Sequence, residues 1–310
     1  MTHVLDAPVV LAPRRRLGLR LPIAPWLYLA PALAVIGVWI YWPLVEAFIL
    51  SFYQWNMLPT STPRPVGLAN YENLLTLPEM RIAVRNTVLY IAGLLPLSVV
   101  LPLAVAIVTQ DLAGPLRNLY RSLIFVPMIV APIVAAVLWR WLLAERNGLV
   151  NQALAALGFS DVAFLRDPDV ALWTLVWITG WKLIGFSTLL LSAANASISP
   201  AYVEAARMDG ATRWQIVRDI RLPLLSPTIL LLTMMTILFG AQWSFVYINA
   251  LTGGGPLKST TNVFYLMWEY GFQSLSAGWS ATAGVLTFAA FGLIALVCLT
   301  LMKRMAVYDE

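Results

Sequence analysis

Residues 204–223 read Glu-Ala-Ala-Arg-Met-Asp-Gly-Ala-Thr-Arg-Trp-Gln-Ile-Val-Arg-Asp-Ile-Arg-Leu-Pro, and they form a polar stretch between long apolar segments. Just before them, Ser199 is a suitable helix N-cap, and the proline that follows suits the first helical position, where its missing N–H costs no hydrogen bond. Gly210 tolerates a positive φ and predicts a turn. Thr212 can cap a second short helix, which we expect to end by Pro223. The local prediction is helix, turn, helix.

The composition of the whole chain is that of an integral membrane protein. Its 310 residues are 60% hydrophobic and 11% charged, and the mean hydropathy is +0.78, whereas a soluble domain carries about 25% charged residues. The single cysteine, Cys298, excludes a disulfide framework and a thiolate metal site, and the single histidine, His3, excludes a histidine-based metal site or catalytic triad. The net charge of +5 does not indicate nucleic-acid binding, because membrane topology explains where most basic residues fall.

Long charge-free runs predict six transmembrane helices, since one span needs about 20 apolar residues. The predicted fold class is an all-α integral membrane protein with an N-terminal tail at 1–25 and a six-helix transmembrane domain at 26–310. The polar stretch then belongs to a loop at 197–223. The predicted spans are 26–50, 84–109, 122–143, 170–195, 223–248 and 281–302.

The basic residues orient these spans. If the N-terminus is cytoplasmic, twelve Lys and Arg residues lie inside and seven lie outside, while Lys182 falls within a span. Positive residues concentrate in cytoplasmic segments. Because the number of spans is even, both termini and the loop at 197–223 are expected in the cytoplasm.

The polar stretch resembles the EAA loop of the membrane subunits of ABC-type importers, in the binding-protein-dependent sugar permease family. The family pattern is Glu-Ala-Ala, three residues, Gly, nine residues, Ile, one residue and Leu-Pro, and 204–223 fills every fixed position. The resemblance implies a type I ABC importer permease fold in a bacterial plasma (inner) membrane, with the loop docked on a separate ATPase. Taken alone, the stretch also fits an amphipathic helical hairpin lying on the membrane. The implied coupling residues are Glu204, Ala205, Ala206, Asp209 and Gly210.

The same resemblance implies the partners. They are a second homologous permease subunit, two copies of an ATPase subunit, an extracytoplasmic solute-binding protein and the lipid membrane, with no nucleic acid. No cofactor is expected on this chain, because ATP and Mg would bind to the ATPase. The sequence has no Gly-x-x-x-x-Gly-Lys-[Ser/Thr] loop and no nucleophile–base set, so we do not expect an enzyme.

Predicted external segments narrow the expected cargo. Residues 67–75 and 251–261 resemble loops of carbohydrate-importing members of the family, and 147–158 resembles the loop that contacts the binding protein. The cargo would be a monosaccharide derivative, a disaccharide, an oligosaccharide or a glycerol-phosphate-type compound. An importer of an amino acid, a peptide or an ion is the alternative. An ion-coupled carrier is disfavoured, because such carriers usually need intramembrane carboxylates and only Glu46 lies near a span.

The predicted fourth span carries a candidate solute surface. Trp173, Trp177 and Trp181 recur every four residues and share one helical face. Such a stripe fits either an interfacial aromatic belt or a surface on which sugar rings stack. Lys182 lies deep in this span, where a cation is costly unless it is paired, snorkels or faces a cavity. We expect it to face the pathway or to make a polar contact between helices.

The outer half of the predicted fifth span mixes polar and aromatic groups. Gln242, Tyr247 and Asn249 can form hydrogen bonds with a polyol, and Trp243 can stack on a sugar ring. The same residue types also serve as hydrogen-bonding contacts between helices. The predicted pathway residues are Trp177, Trp181, Lys182, Gln242, Trp243, Tyr247 and Asn249.

Overall fold

The computed structural model describes residues 23–110 and 114–305, so most of the predicted tail at 1–25 lies outside the described residues. The chain divides into two compact units, Met1–Glu46 and Ala47–Glu310. The first unit contains helix Ile23–Ile36, the π-helical turn Gly37–Tyr41 and the first residues of helix Trp42–Leu50. Within that helix, Trp42 Nε1 donates a 2.8 Å hydrogen bond to Glu46 Oε1.

In the part of the second unit that the structure describes, all regular structure is helical except one antiparallel ribbon, Tyr53–Gln54 with Arg64–Pro65. This ribbon was not predicted, because strands of two residues carry no alternating pattern. The π-helical turns are Pro96–Val100, Ile216–Arg221, Thr236–Gly240, Ile248–Thr252 and Glu269–Gln273. The α-helices are Ala69–Thr76, Pro78–Leu95, Leu101–Val108, Gly114–Ile129, Pro132–Leu142, Leu149–Ala156, Pro168–Ala196, Pro200–Met208, Arg213–Gln215, Leu222–Met235, Ala241–Tyr247, Val263–Trp268 and Ala277–Met305.

Within the described residues, five continuous helices are long and apolar enough to cross a membrane, and one bent pair completes a set of six. Each overlaps one predicted span, which confirms the six-span, all-α class. We number them in chain order and use "inner" and "outer" for the predicted sides. The first to sixth spans are Pro25–Leu50, Pro78–Val108, the pair Ser122–Ile129 and Pro132–Leu142, Pro168–Ala196, Arg213–Thr252, and Ala277–Met302.

The third span is broken, whereas the sequence predicted one helix over 122–143. At the break, the helix axis bends by 105° between the two halves. Ala131 has an extended backbone, with ψ of 140°, because the ring of Pro132 disfavours the helical conformation in the residue before it. The break frees carbonyl groups at the end of the first half from intrahelical hydrogen bonds.

The fifth span is longer than its predicted range of 223–248. One helical segment runs from Arg213 to Thr252, so the expectation that a short helix ends by Pro223 is wrong. The loop at 197–223 and the fifth span therefore share a single helical rod.

A π-helical turn explains how the rod passes through its proline. In the turn Ile216–Arg221, the Leu222 N–H bonds to the Val217 carbonyl, five residues back. A wider turn gives the proline ring room beside the carbonyl with which it would clash in a regular α-helix. Other π-helical turns end two residues before Pro43 and Pro102, so the same arrangement occurs in the first and second spans.

The fourth span forms the centre of the second unit. In its most apolar segment 67% of the residues are buried, compared with 28% for the second span and 0% for the sixth. Glycine allows close contact with its neighbours, because a Cβ on Gly185 would lie 2.1 Å from the Ile124 carbonyl oxygen. Buried residues of the main core are Tyr90, Leu94, Ala135, Ala136, Leu143, Leu172, Leu175, Val176, Ile178, Leu183, Tyr247, Ile248 and Tyr265.

The loop between the fifth and sixth spans is tied to the second span. Asn86 Nδ2 donates hydrogen bonds to the carbonyl oxygens of Lys258 at 3.0 Å and Thr261 at 2.9 Å. The Lys258 ammonium also lies 2.6 Å from Glu79 Oε1. These contacts fix the loop at the outer end of the second span.

Candidate coupling loop and solute cavity

The loop at 197–223, which we call the coupling loop, begins with the predicted helix and turn. Helix Pro200–Met208 carries Glu204, Ala205 and Ala206, and Asp209 is its C-cap residue. Gly210 follows with a φ of +80°, a conformation that a glycine adopts without strain. Ser199 stands at the N-cap position, but its side chain makes no capping hydrogen bond, contrary to the prediction. The predicted coupling residues thus share a little more than one helical turn and the bend that follows.

A capping box starts the rod of the fifth span. Thr212 Oγ1 accepts a hydrogen bond from the Gln215 N–H at 3.4 Å, and Gln215 Oε1 accepts one from the Thr212 N–H at 2.8 Å. This confirms Thr212 as a helix cap. The bend at Gly210 therefore passes directly into an ordered helix start.

Large side chains of the coupling loop are exposed on this chain. The exposed fraction is 89% for Met208, 66% for Trp214 and 51% for Tyr202. Glu204 and Asp209 are exposed beside them. Large apolar groups exposed together with charged ones are typical of a surface that another protein covers. The loop is therefore a candidate docking surface.

A cavity of about 290 Å³ lies between the coupling loop and the inner ends of the second and fourth spans. Glu204, Arg207 and Arg221 line it together with Asn195 and Gln110. Arg221 Nη1 donates to Asn195 Oδ1 at 3.3 Å, and Asn195 Nδ2 donates to Gln110 Oε1 at 3.2 Å. This chain of hydrogen bonds was not predicted, because its members are distant in sequence. The available signal in the sequence was the position of polar residues at the ends of two apolar runs.

Lys182 occupies the middle of the fourth span and is 7% exposed. Its Nζ donates a hydrogen bond to the carbonyl oxygen of Val130. That carbonyl lies at the break in the third span. Among the described residues, no carboxylate lies within 4.0 Å of this ammonium, since the ion pairs there involve other cations. The lysine thus joins the fourth span to the break and has no ion-pair partner among the described residues.

A cavity of about 370 Å³ lies beside Lys182, and we call it the central cavity. Thr179 lines it from the fourth span, and Trp243 and Tyr247 line it from the fifth. Tyr247 is 1% exposed, and its hydroxyl has no hydrogen-bond partner in the part of the chain that the structure describes. The rest of the lining is Met128, Ile129, Val130, Ala131, Pro132 and Val246.

Three of the predicted pathway residues, Lys182, Trp243 and Tyr247, therefore meet at one cavity. Gln242 lines a neighbouring cavity of about 470 Å³, which also borders on Trp243. Asn249 is exposed in the last turn of the fifth span and does not line the central cavity.

The predicted tryptophan stripe is divided between two environments. Trp181 packs edge-on against Trp139, with ring centroids 5.5 Å apart, at the border of the main core. Trp173 and Trp177 are 49% and 50% exposed. Neither lines the central cavity, so the stripe does not form one continuous wall of it.

The outer ends of the third and fifth spans border a larger cavity of about 830 Å³. Its charged lining is Arg140, Arg146, Arg166 and Glu145. The last two form an exposed pair, with Arg166 Nη1 3.7 Å from Glu145 Oε2. These arginines were predicted only as separate external charges, because it is the fold that brings them around one opening.

Comparison with protein families gives a match over most of the chain. Residues 98–308 match the family described as "Binding-protein-dependent transport system inner membrane component". The sn-glycerol-3-phosphate transport system permease protein UgpA of Yersinia pseudotuberculosis is 35% identical over 265 residues, which cover 84% of this chain and 88% of that protein. The osmoprotective compounds uptake permease protein GgtC of Synechocystis is 30% identical over 291 residues, covering 92% of this chain and 99% of the relative.

Solved structures show the same fold. A bacterial ABC transporter involved in the import of the acidic polysaccharide alginate matches with a TM-score of 0.80 and 23% identity, covering 91% of this chain and 96% of the other. The MetNI methionine ABC transporter matches with a TM-score of 0.54 and 18% identity, covering 74% and 99%. At these identities the likeness concerns the fold, which is that of an ABC importer permease of type I. By its family match and its relatives, the chain belongs to the inner-membrane components of binding-protein-dependent transport systems.

Proposed function

We propose that this chain is one half of the membrane pathway of an ATP-driven importer whose cargo is a carbohydrate or a polyol derivative. The chain itself is the permease subunit of a binding-protein-dependent ABC importer, and in this family the ATPase is a separate subunit. Relatives and structural neighbours named for glycerol phosphate and for alginate support the choice of cargo class. The aromatic and hydroxyl groups around Trp243 and Tyr247 fit the same class.

The proposed assembly contains a second homologous permease, two ATPase copies that bind ATP and Mg, and an extracytoplasmic solute-binding protein. The chain lies in the bacterial inner membrane as a multi-pass protein, and the proposal puts both termini in the cytoplasm. Its coupling loop then faces the ATPase. The exposed Tyr202, Met208 and Trp214 would supply apolar contact area there, and Glu204 would meet a basic group.

The observation that carries the proposal is the helical rod of the fifth span. It starts at Thr212 in the coupling loop and includes Trp243 and Tyr247 at the central cavity. A helix rises about 1.5 Å per residue, so the 35 residues between Thr212 and Tyr247 span roughly 50 Å. Motion of an ATPase bound to the loop is thereby transmitted to the cavity wall. ATP binding drives the change only if the ATPase contacts differ between the two permease states.

We propose that solute moves along the face of the fourth and fifth spans that contains the central cavity. Lys182, Trp243 and Tyr247 would contact solute in the cavity, and Gln242 would do so in the neighbouring one. Asn249, at the outer end of the fifth span, would meet solute at the entrance. Trp177 and Trp181 would contribute stacking surface from the fourth span, with Trp177 the more accessible of the two.

Purification in mild detergent tests this assignment. The complex is isolated through this chain from its native membrane, and the accompanying proteins are identified by mass spectrometry. We expect a second six-span protein and an ATPase, with ATP hydrolysis stimulated by a solute-loaded binding protein that takes a carbohydrate. A loaded binding protein specific for an amino acid, a peptide or an ion would overturn the cargo. Recovery of the chain without an ATPase would overturn the coupling role.

A further inference from the structure

Lys182 is buried, and no carboxylate of the described residues lies within 4.0 Å of its ammonium. Its ammonium is 7% exposed and donates one hydrogen bond, to the carbonyl oxygen of Val130. An ammonium has three protons to donate. Burying a cation inside a membrane protein is costly unless an anion or several acceptors compensate for the lost hydration. One hydrogen bond to a carbonyl compensates for only a small part of the lost hydration.

The polar side chains that line the central cavity, those of Lys182, Thr179, Trp243 and Tyr247, each carry a hydrogen-bond donor. The Tyr247 hydroxyl has no partner among the described residues, in a side chain that is 1% exposed. The Thr179 hydroxyl is already engaged with the hydroxyl of Tyr90. No Asp or Glu is among the described residues that line the central cavity, and the rest of this wall is apolar except for backbone groups at the third-span break. A ligand that fits this lining is rich in acceptors at one end.

We propose that the central cavity binds the anionic group, a carboxylate or a phosphate, of the transported solute. Lys182 supplies the charge, Tyr247 donates a second hydrogen bond, and the aromatic face of Trp243 covers the apolar side of the solute. The cavity of about 370 Å³ is within the size range of small-molecule sites, so it accommodates an acidic monosaccharide or a polyol phosphate. This inference rests on the proposed function and specifies the charge class of its cargo.

The position of Lys182 links solute charge to the shape of the third span. The same ammonium holds the Val130 carbonyl at the 105° break. An anion in the cavity competes for its protons and changes the strength of that contact. Solute would therefore bind next to the third span, which is the most sharply bent of the described spans.

Binding of matched probes to the transporter complex tests the proposal. The complex is used without its external binding protein, in nanodiscs of zwitterionic lipid, so that neither binding-protein specificity nor an anionic headgroup contributes. The probes are galacturonate against galactose, and glycerol 3-phosphate against glycerol, with inorganic phosphate as a bare anion. Binding is measured by calorimetry and by the shift in unfolding temperature.

We expect at least one anionic probe to bind about 10- to 100-fold more tightly than its neutral counterpart, the range for a charged hydrogen bond. Lys182→Met should abolish this preference and Lys182→Arg should retain most of it. Tyr247→Phe should weaken it several-fold without removing it. Arg64→Gln, which removes one exposed charge that lines none of the cavities described above, should leave it unchanged.

Equal binding of anionic and neutral probes by the wild-type complex would overturn the proposal, and so would a preference that survives in Lys182→Met. A preference that appears only in nanodiscs with anionic lipid would assign the site to a headgroup and also overturn it. If Lys182→Met does not assemble, the expected effects of Lys182→Arg and Tyr247→Phe on the preference for anionic probes test the proposal in its place. In each case a complex that still contains its ATPase and responds to a loaded binding protein leaves the importer assignment intact.

Discussion

Tyr90 and Tyr247 are both buried in the main core, and they differ in the hydrogen bonding of their hydroxyl groups. The Tyr90 hydroxyl contacts the hydroxyl of Thr179 and the carbonyl oxygen of Leu175, the latter at 3.3 Å. Tyr247 lines the central cavity, and its hydroxyl has no hydrogen-bond partner among the described residues. A buried polar group left unpaired is unfavourable, so the protein maintains Tyr247 at some cost. At the scale of single residues, this difference separates a structural contact from a candidate solute contact.

Replacing each tyrosine by phenylalanine tests that distinction. Tyr90→Phe should destabilise the protein by about 1 kcal/mol, because it removes a satisfied buried hydrogen bond. Tyr247→Phe should leave the unfolding temperature unchanged or slightly higher, yet raise the solute concentration needed for half-maximal transport. Thermal unfolding in detergent and uptake into proteoliposomes measure the two effects. A loss of stability in Tyr247→Phe with normal uptake would show that its hydroxyl has a structural role.

Glu204 gives a second prediction for a single residue. We expect Glu204→Ala to assemble normally and to reduce solute-stimulated ATP hydrolysis at least about tenfold, as when one partner of an interface charge pair is removed. Asp219→Asn is the matched control. Asp219 is another exposed acid of the loop, and its carboxylate already binds Arg218 of the same chain at 2.6 and 3.0 Å. Equal losses in both variants would point to a general charge effect on the loop.

Elements of this fold could be predicted from the sequence to different extents. Apolar length predicted all six spans, because it depends on composition alone. The break at Pro132 and the passage of the fifth span through Pro223 were not predicted. A proline ends a helix in one case and is accommodated by a π-helical turn in the other, and the choice depends on packing. Lys182 was predicted to face the pathway or to make a polar contact between helices. Its partner, the carbonyl of Val130, could not be predicted, because this carbonyl lies at the break.

The packing of the third span on the fourth gives a prediction at this scale. A Cβ on Gly185 would meet the Ile124 carbonyl oxygen at 2.1 Å, so Gly185→Ala must push two spans apart. We expect a loss of about 1–3 kcal/mol or more, as for other overpacked sites. Gly292→Ala is the control, since nothing lies within 4 Å of its added methyl group. Unfolding temperatures in detergent should fall for the first variant and stay level for the second.

For the whole molecule, the coupling role depends on which side of the membrane the loop faces. The prediction from basic residues and the family resemblance agree on the cytoplasm. The hydrogen bonds between Gln110, Asn195 and Arg221 would then lie at the inner side, and the arginine-lined cavity at the outer side. Neither site was predicted, because each depends on side chains brought together by tertiary packing. If the chain had the opposite orientation in the membrane, the two sites would exchange sides, and the coupling loop would no longer face the cytoplasm.

Thiol labelling with a membrane-impermeant reagent decides the orientation. Cys298, the single native cysteine, is first replaced by alanine. A cysteine at Met208, 89% exposed in the coupling loop, should react in inside-out vesicles stripped of the ATPase and not in intact cells opened only at the outer membrane. A cysteine at Leu257, 88% exposed in the loop between the fifth and sixth spans, should show the opposite behaviour. Adding back the ATPase should then protect position 208 and leave position 257 reactive, because only the coupling loop is expected to be covered. Labelling of position 208 from outside would place the loop beyond the reach of a cytoplasmic ATPase and overturn the coupling mechanism.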